Sequence, residues 1–355
     1  MSIGDKLLKS ATSALVPSEN FKVVTYTGNG GTQAITGVGF KPDFVWCKTR
    51  STSSDHNLTD STRGVKKGLN INTSAAEGNQ DPYGVTVFGD DGFTVADNSG
   101  GGAGVNGSGI TYVAWCWKAN GGTTTTNSDG SQDSTVQANA AAGFSIIKYT
   151  GTGSGETIGH GLSSAPKLIM QKRISSVSDW LGGALDWVKY LEPNGDPPFR
   201  TANVWGNTAP TDSVYSVVNS TSASGVDYIS YVFADVAGYQ KIGSYTGNAS
   251  TNGPIIETDF EVGYVLIKDT TSTGEWWIVD NTRGSTQLLQ QQSNSAESTS
   301  DALVTFLSNG FQVTRADGNM NGSGNVYLYL AIAVDPDEEQ PTLADSFNAI
   351  AYGGN

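Results

Sequence analysis

The tripeptide Tyr-Thr-Gly occurs at Tyr26–Gly28, at Tyr149–Gly151 and at Tyr245–Gly247. Each copy closes a short run of alternating apolar and polar residues: "FKVVTYTG", "FSIIKYTG" and "YQKIGSYTG". Such a run reads as a strand, and the glycine as the entry to a tight turn. Further landmarks follow each copy in the same order. "FKPDFVWCK" (Phe40 to Lys48), "SSAPKLIMQK" (Ser163 to Lys172) and "FEVGYVLIKD" (Phe260 to Asp269) are apolar runs that meet a lysine. "NGSGITYVAWCWKA" from Asn106, "SASGVDYISYVFADV" from Ser222 and "NGSGNVYLYLAIAV" from Asn321 are aromatic-rich strands after a Gly-containing turn. A period of about 95 residues is too long for a solenoid turn and long enough for a small core, so the pattern predicts tandem domains.

The first unit spans 21–119, the second 144–236 and the third 239–336. Units one and three share Asp-x-Thr-Arg-Gly, at Asp60–Gly64 and Asp280–Gly284. They also share the hairpins "VFGDDGFTV" and "TFLSNGFQV". Unit two carries instead "DWLGGALDWVKYLEPNGDPPF" from Asp179, so it is the remodelled copy. Segment 120–143 has almost no apolar residues and reads as a linker or long loop. At the start, 1–20, Ile3, Leu7, Leu8, Ala11 and Leu15 share a helical face that Pro17 ends. That face packs on unit one or docks on another subunit. The acidic tail 337–355 is disordered or a second docking arm.

Composition agrees with an all-β chain. Gly numbers 45, and charged residues make up 15% against 37% hydrophobic. That mix suits short strands and tight turns. The expected fold is a tandem series of β-sandwiches of the jelly-roll or concanavalin-like kind, with a short N-terminal amphipathic helix. In the last strand of unit one, Val113, Trp115 and Trp117 share a face. Sandwiches repeated in series predict a rigid, elongated body.

The net charge of −14, with 20 scattered Lys and Arg, argues against nucleic acid as a partner. No stretch approaches the roughly 18 apolar residues of a membrane span, so membrane insertion is not expected. No long apolar stretch follows the N-terminal lysines, and no secretion signal is expected. Cys47 and Cys116 each lie in an apolar strand, and read as two buried thiols or as one disulfide.

Catalysis needs a nucleophile with a base, paired carboxylates or metal ligands. The two histidines, His56 and His160, read as structural. His56 stands where unit three has Trp276, so the position takes an apolar ring. Asp60 and Asp280 recur in two copies three residues before an arginine, which suits a fold-supporting turn better than a catalytic acid. Asp90 and Asp91 read as turn chemistry, and the Asp- and Asn-rich loops lack Ca²⁺-loop spacing. No catalytic residue, metal or cofactor is expected. Stacking on a sugar ring needs exposed aromatic faces, and the unit-two insertion offers Trp180, Trp187 and Tyr190 with Trp205 nearby. The competing reading is that these rings fill a core or an interface.

The set "VVTYTGNG", "GVGFKPDFVWCK", "DSTRG", "DDGFTV" and "GSGITYVAWCWKA" resembles a domain of tail-fibre-like virion proteins of marine and cyanobacterial bacteriophages. The likeness is strongest over Phe21–Ala119, partial over Tyr239–Pro336 and weak over Phe144–Val236. It implies a lectin-like sandwich and a virion component, without saying which part of the virion; taken with the absence of chemistry and the tandem sandwiches, the expected role is structural, in the tail or fibre, contributing to host attachment. Capsid decoration and a glycan-recognising receptor module are the alternatives. A depolymerase would need a carboxylate pair that the sequence does not single out. The expected location is the phage particle. The expected partners are other virion proteins, met through Ile3, Leu7, Leu8 and Leu15, further copies of the chain, for which a trimer is compatible, and a host surface glycan.

Overall fold

A computed structural model describes residues 15–96 and 104–334. The expected docking residues Ile3, Leu7 and Leu8, and the tail 337–355, lie outside the described residues. The chain is all-β and built from antiparallel sheets that form three sandwiches.

Each unit has the same main sheet. In unit one, strand Phe21–Thr27 pairs with Thr111–Trp117, which pairs with Phe44–Thr49, which pairs with Asn57–Asp60. Unit two repeats this with Phe144–Thr150, Asp227–Phe233, Leu168–Arg173 and Leu181–Ala184. Unit three repeats it with Gln240–Thr246, Val326–Ala333, Val262–Asp269 and Trp276–Asp280. A smaller sheet covers one face of each main sheet. In unit one it is Thr32–Thr36, Gly92–Ala96 and Gly84–Gly89.

The other face of every main sheet meets its two counterparts. Phe44, Trp46, Trp115 and Trp117 of unit one lie in one hydrophobic cluster with Phe144, Met170, Tyr231 and Phe233 of unit two. Tyr264, Leu266, Ile278 and Leu330 of unit three complete it. The intervening residues Val45, Cys47, Ala114 and Cys116 turn the other way, into the interior of sandwich one. Both faces are therefore buried, as all six residues of Phe44–Thr49 are. This is why "DFVWCK" reads as a continuous apolar run and not as strict alternation. The three units close into a ring with pseudo-threefold order around a shared core. This corrects the elongated series: each unit touches both others, because a two-faced apolar sheet needs cover on both sides.

The repeated Tyr-Thr-Gly has the same role inside every unit. In each unit the tyrosine stacks on a tyrosine of the neighbouring last strand. The pairs are Tyr26–Tyr112, Tyr149–Tyr228 and Tyr245–Tyr327, with centroids 5.0, 5.1 and 5.0 Å apart and planes within 15°. The first hydroxyl donates to a loop carbonyl, of Val105, Thr221 or Met320. The second accepts the amide of Gly107, Ala223 or Gly322. The glycine sits where the loop backbone comes closest. A Cβ on Gly28, Gly151 or Gly247 would lie 2.3, 2.6 or 2.3 Å from a carbonyl oxygen. Gly247→Ala should therefore cost about 1–3 kcal/mol as overpacking against rigid backbone. Gly318→Ala, with nothing within 4 Å of its Cβ, should leave the urea midpoint nearly unchanged. Equal midpoints for the two variants would refute the close-approach account.

Segment 120–143 is not a free linker. Thr125–Asn127 and Ser134–Asn139 extend the unit-two sheet, with Val136 opposite Ile147. Its polar outer strand hid it in the sequence, since an edge strand needs few apolar residues. Leu15 is half-buried against the shared core, and Pro17 is buried. Cys47 and Cys116 are both buried free thiols. Burial pushes Cys47 up to about 12, with Tyr26 as a weak hydroxyl donor to its sulfur.

Candidate functional site

The chemistry-bearing side chains gather at the three seams between units. Each seam repeats one backbone exchange. Ser54 of unit one donates to Asn294 O of unit three at 2.8 Å, Ser178 of unit two to Ser74 O of unit one at 2.9 Å, and Gly274 of unit three to Asp196 O of unit two at 3.0 Å. The lysine that follows each apolar run binds the same carbonyl. Lys48 Nζ reaches Asn294 O at 3.3 Å, Lys172 reaches Ser74 O at 3.2 Å and Lys268 reaches Asp196 O at 3.0 Å. Burial pushes each ammonium down to about 8, so at neutral pH each still carries its donor protons.

A ring side chain holds the next position of each seam. Trp180 Nε1 donates to Asn70 O of unit one, and Trp276 Nε1 to Glu192 O of unit two. In unit one the position is His56, whose Nε2 lies 3.0 Å from Gln290 O and 3.2 Å from Ser293 O of unit three. Trp46 Nε1 approaches His56 Nδ1 at 2.8 Å, and an indole can only donate. Nδ1 is therefore the acceptor and Nε2 carries the proton. Burial, with the nearby Lys48 charge, lowers His56 to about 3. The flanking core residue compensates in volume. Trp46 accompanies the small ring of His56, while Met170 and Leu266 accompany the tryptophans.

The Asp-x-Thr-Arg-Gly turns are buried ionic clusters. Arg283 lies on Asp280 at 2.7 Å and Glu297 at 2.8 Å, and donates to Ile278 O at 3.1 Å. Arg63 repeats this with Asp60, Glu77 and Leu58 O. Burial, the largest single influence, would lower Arg63, but Asp60, Tyr231 and Glu77 together outweigh it and hold the guanidinium above its ordinary range. Each aspartate accepts one further proton across its seam. Tyr231 of unit two donates to Asp60 Oδ2 at 2.8 Å, and Trp115 of unit one to Asp280 Oδ2 at 3.0 Å. At the third seam both halves are missing together. Ala184 takes the aspartate place in the strand register, and Leu330 the donor place. Neither loss strands a polar partner of the other, which is how unit two can lack the motif.

The other anticipated residues are placed as follows. Trp180 is fully buried and stacks on Tyr231. Trp205 is buried inside sandwich two, edge-on to the half-buried Trp187 at 6.1 Å. Gly183 makes room for both rings, since a Cβ there would meet Trp187 at 2.5 Å. Tyr190 is half-buried against the same interior. His160 is buried, accepts from Leu162 N and lies 3.2 Å from Thr211 O. Asp91 accepts the amides of Gly37 and Gly39 at 3.1 and 2.7 Å, which lowers its carboxyl. The seam role of the lysines and of His56 was missed from sequence. The signal was present as lysines at matched positions ending apolar runs, where a solvent-facing charge has no reason to recur.

Among the described residues, no group of three or more His, Cys, Asp or Glu is arranged to hold a metal ion. No described helix is long and apolar enough to cross a membrane. Residues 16–336 match a family described as a domain of unknown function (DUF7483), and the chain belongs to that family. The match spans all three units together. No curated protein and no solved structure matches the chain.

Proposed function

We propose that the chain is a structural component of a tailed-phage particle, in the tail or fibre, which builds and presents surface. One observation carries the reading: the buried lysines, His56 and the two arginine clusters are committed to joining the units. His56, Lys48, Lys172, Lys268 and the Arg63 and Arg283 clusters all end on neighbouring backbone or on each other. A pseudo-threefold body made by one chain suits a threefold fibre axis, where one copy can face three equivalent neighbours. Residues 1–14 are the proposed tether to the neighbouring virion protein. Deleting them, while keeping Leu15 and Pro17 because these pack into the body, should leave the melting temperature unchanged and abolish incorporation into particles. Antibody labelling of purified particles should mark tails. Labelling confined to heads would move the chain to capsid decoration. Its absence from particles, or full incorporation of the truncated chain, would sink the tether and virion reading.

A further inference from the structure

We infer that the groove between units two and three binds a neutral sugar ring, with Phe199 as the stacking face. The ring supplies its own controls, because the three seams share one backbone bond and differ in the side chains beside it. Glu297 N bonds to Arg50 O, Glu77 N to Ile174 O and Phe199 N to Thr270 O. At the first seam Arg50 crosses to Glu297 at 2.7 Å and fills the space. At the second, Ile174 is buried in the shared core. At the third, Thr270 turns its hydroxyl back to Val326 O of its own unit at 2.7 Å. Beside it lies an open groove of about 500 Å³.

Its walls have the chemistry of a sugar site. Leu185, Pro198 and Phe199 give an apolar side, and Ser244 and Thr271 a hydroxyl side. Leu185 is 41% exposed and held at φ 57°, a strained conformation for leucine that turns an apolar side chain outward. Phe199 is half-buried against the shared core, and the ammonium of Lys189, 2.9 Å from Asp186 and 40% exposed, sits over its ring at 5.8 Å from the centroid, where a stacking sugar would displace it. The Lys189–Asp186 pair offers donors and acceptors at the rim with no net charge, which favours hydroxyls over an anion. A volume of this size takes about one or two pyranose rings, whose C–H face packs on an aromatic. The inference is independent of the virion reading: sugar binding is measured on the isolated full chain, and that reading on particles.

The test is saturation-transfer NMR on the full chain with lactose, cellobiose and maltose at about 10 mM each. Transfer to ring protons of at least one of these sugars is expected. Phe199→Glu with Thr270→Arg copies the Arg50–Glu297 pair into this seam. It should keep the fold and reduce the transfer at least about fivefold. Should that double variant melt early, Ser244→Trp closes the groove from the rim and is read the same way. Undiminished transfer in the closed variant, or no transfer from any of the three sugars to the native chain, overturns the proposal.

Discussion

Arg283→Ala should destabilise the chain by about 3–5 kcal/mol, the range seen when one partner leaves a buried ion pair. The cost comes from what remains. Asp280, 0% exposed at the side chain, would keep a buried carboxylate with no cation beside it, while Glu297, 7% exposed, would keep only Arg50. The carbonyl of Ile278 would lose its donor at the same time. Lys241→Ala removes a contact of 3.9 Å to Asp259 at 37% and 87% exposure, and should cost well under about 1 kcal/mol. Urea unfolding of both variants gives the comparison. Asp280→Ala combined with Arg283→Ala should cost less than the sum of the two single changes, because each relieves the charge the other strands. Equal midpoints for Arg283→Ala and Lys241→Ala would show that the cluster is not the strut argued here.

The same cluster shows what the sequence could reveal. Recurrence of Asp60 and Asp280 before an arginine indicated a structural turn, and the turn is structural. Its seam partner was out of reach, because Tyr231 and Trp115 are distant in sequence and look like ordinary core aromatics. The all-β class and the individual strands were legible, since local alternation and Gly turns set them. The ring was not. Alternating residues show that a strand has two faces, but not whether the second meets solvent or another unit. The unbroken burial of Phe44–Thr49 carried that information, and "FVWC" held it as an apolar run with no polar face. The aromatics of the unit-two insertion left two readings open for a related reason. Trp180 looks like a stacking platform until its equivalence to His56 and Trp276 is seen, and that equivalence rests on which carbonyl each ring meets across the seam.

Acidification should weaken the chain through His56 before most carboxylates titrate. In the unfolded chain the ring takes its proton near pH 6.5; in the fold it resists to about 3. The folded value is the lower one, so the stability is present above pH 6.5 and lost as pH falls towards 3. At about 1.4 kcal/mol per pH unit, the loss reaches about 3 kcal/mol by pH 4. Protonation would put a second donor on Nδ1, facing the Trp46 indole that already donates to it. Trp46→Leu with His56→Trp rebuilds the Leu266–Trp276 arrangement, in which an indole donates across the seam and nothing titrates. His56→Trp alone should overpack the site, since Trp46 already fills it. The difference in unfolding free energy between the native chain and the double variant cancels the carboxylates they share. It should be flat above pH 7 and move by about 3 kcal/mol in favour of the variant at pH 4. Parallel stability curves from pH 8 to pH 4 would mean that His56 is not held neutral by the seam.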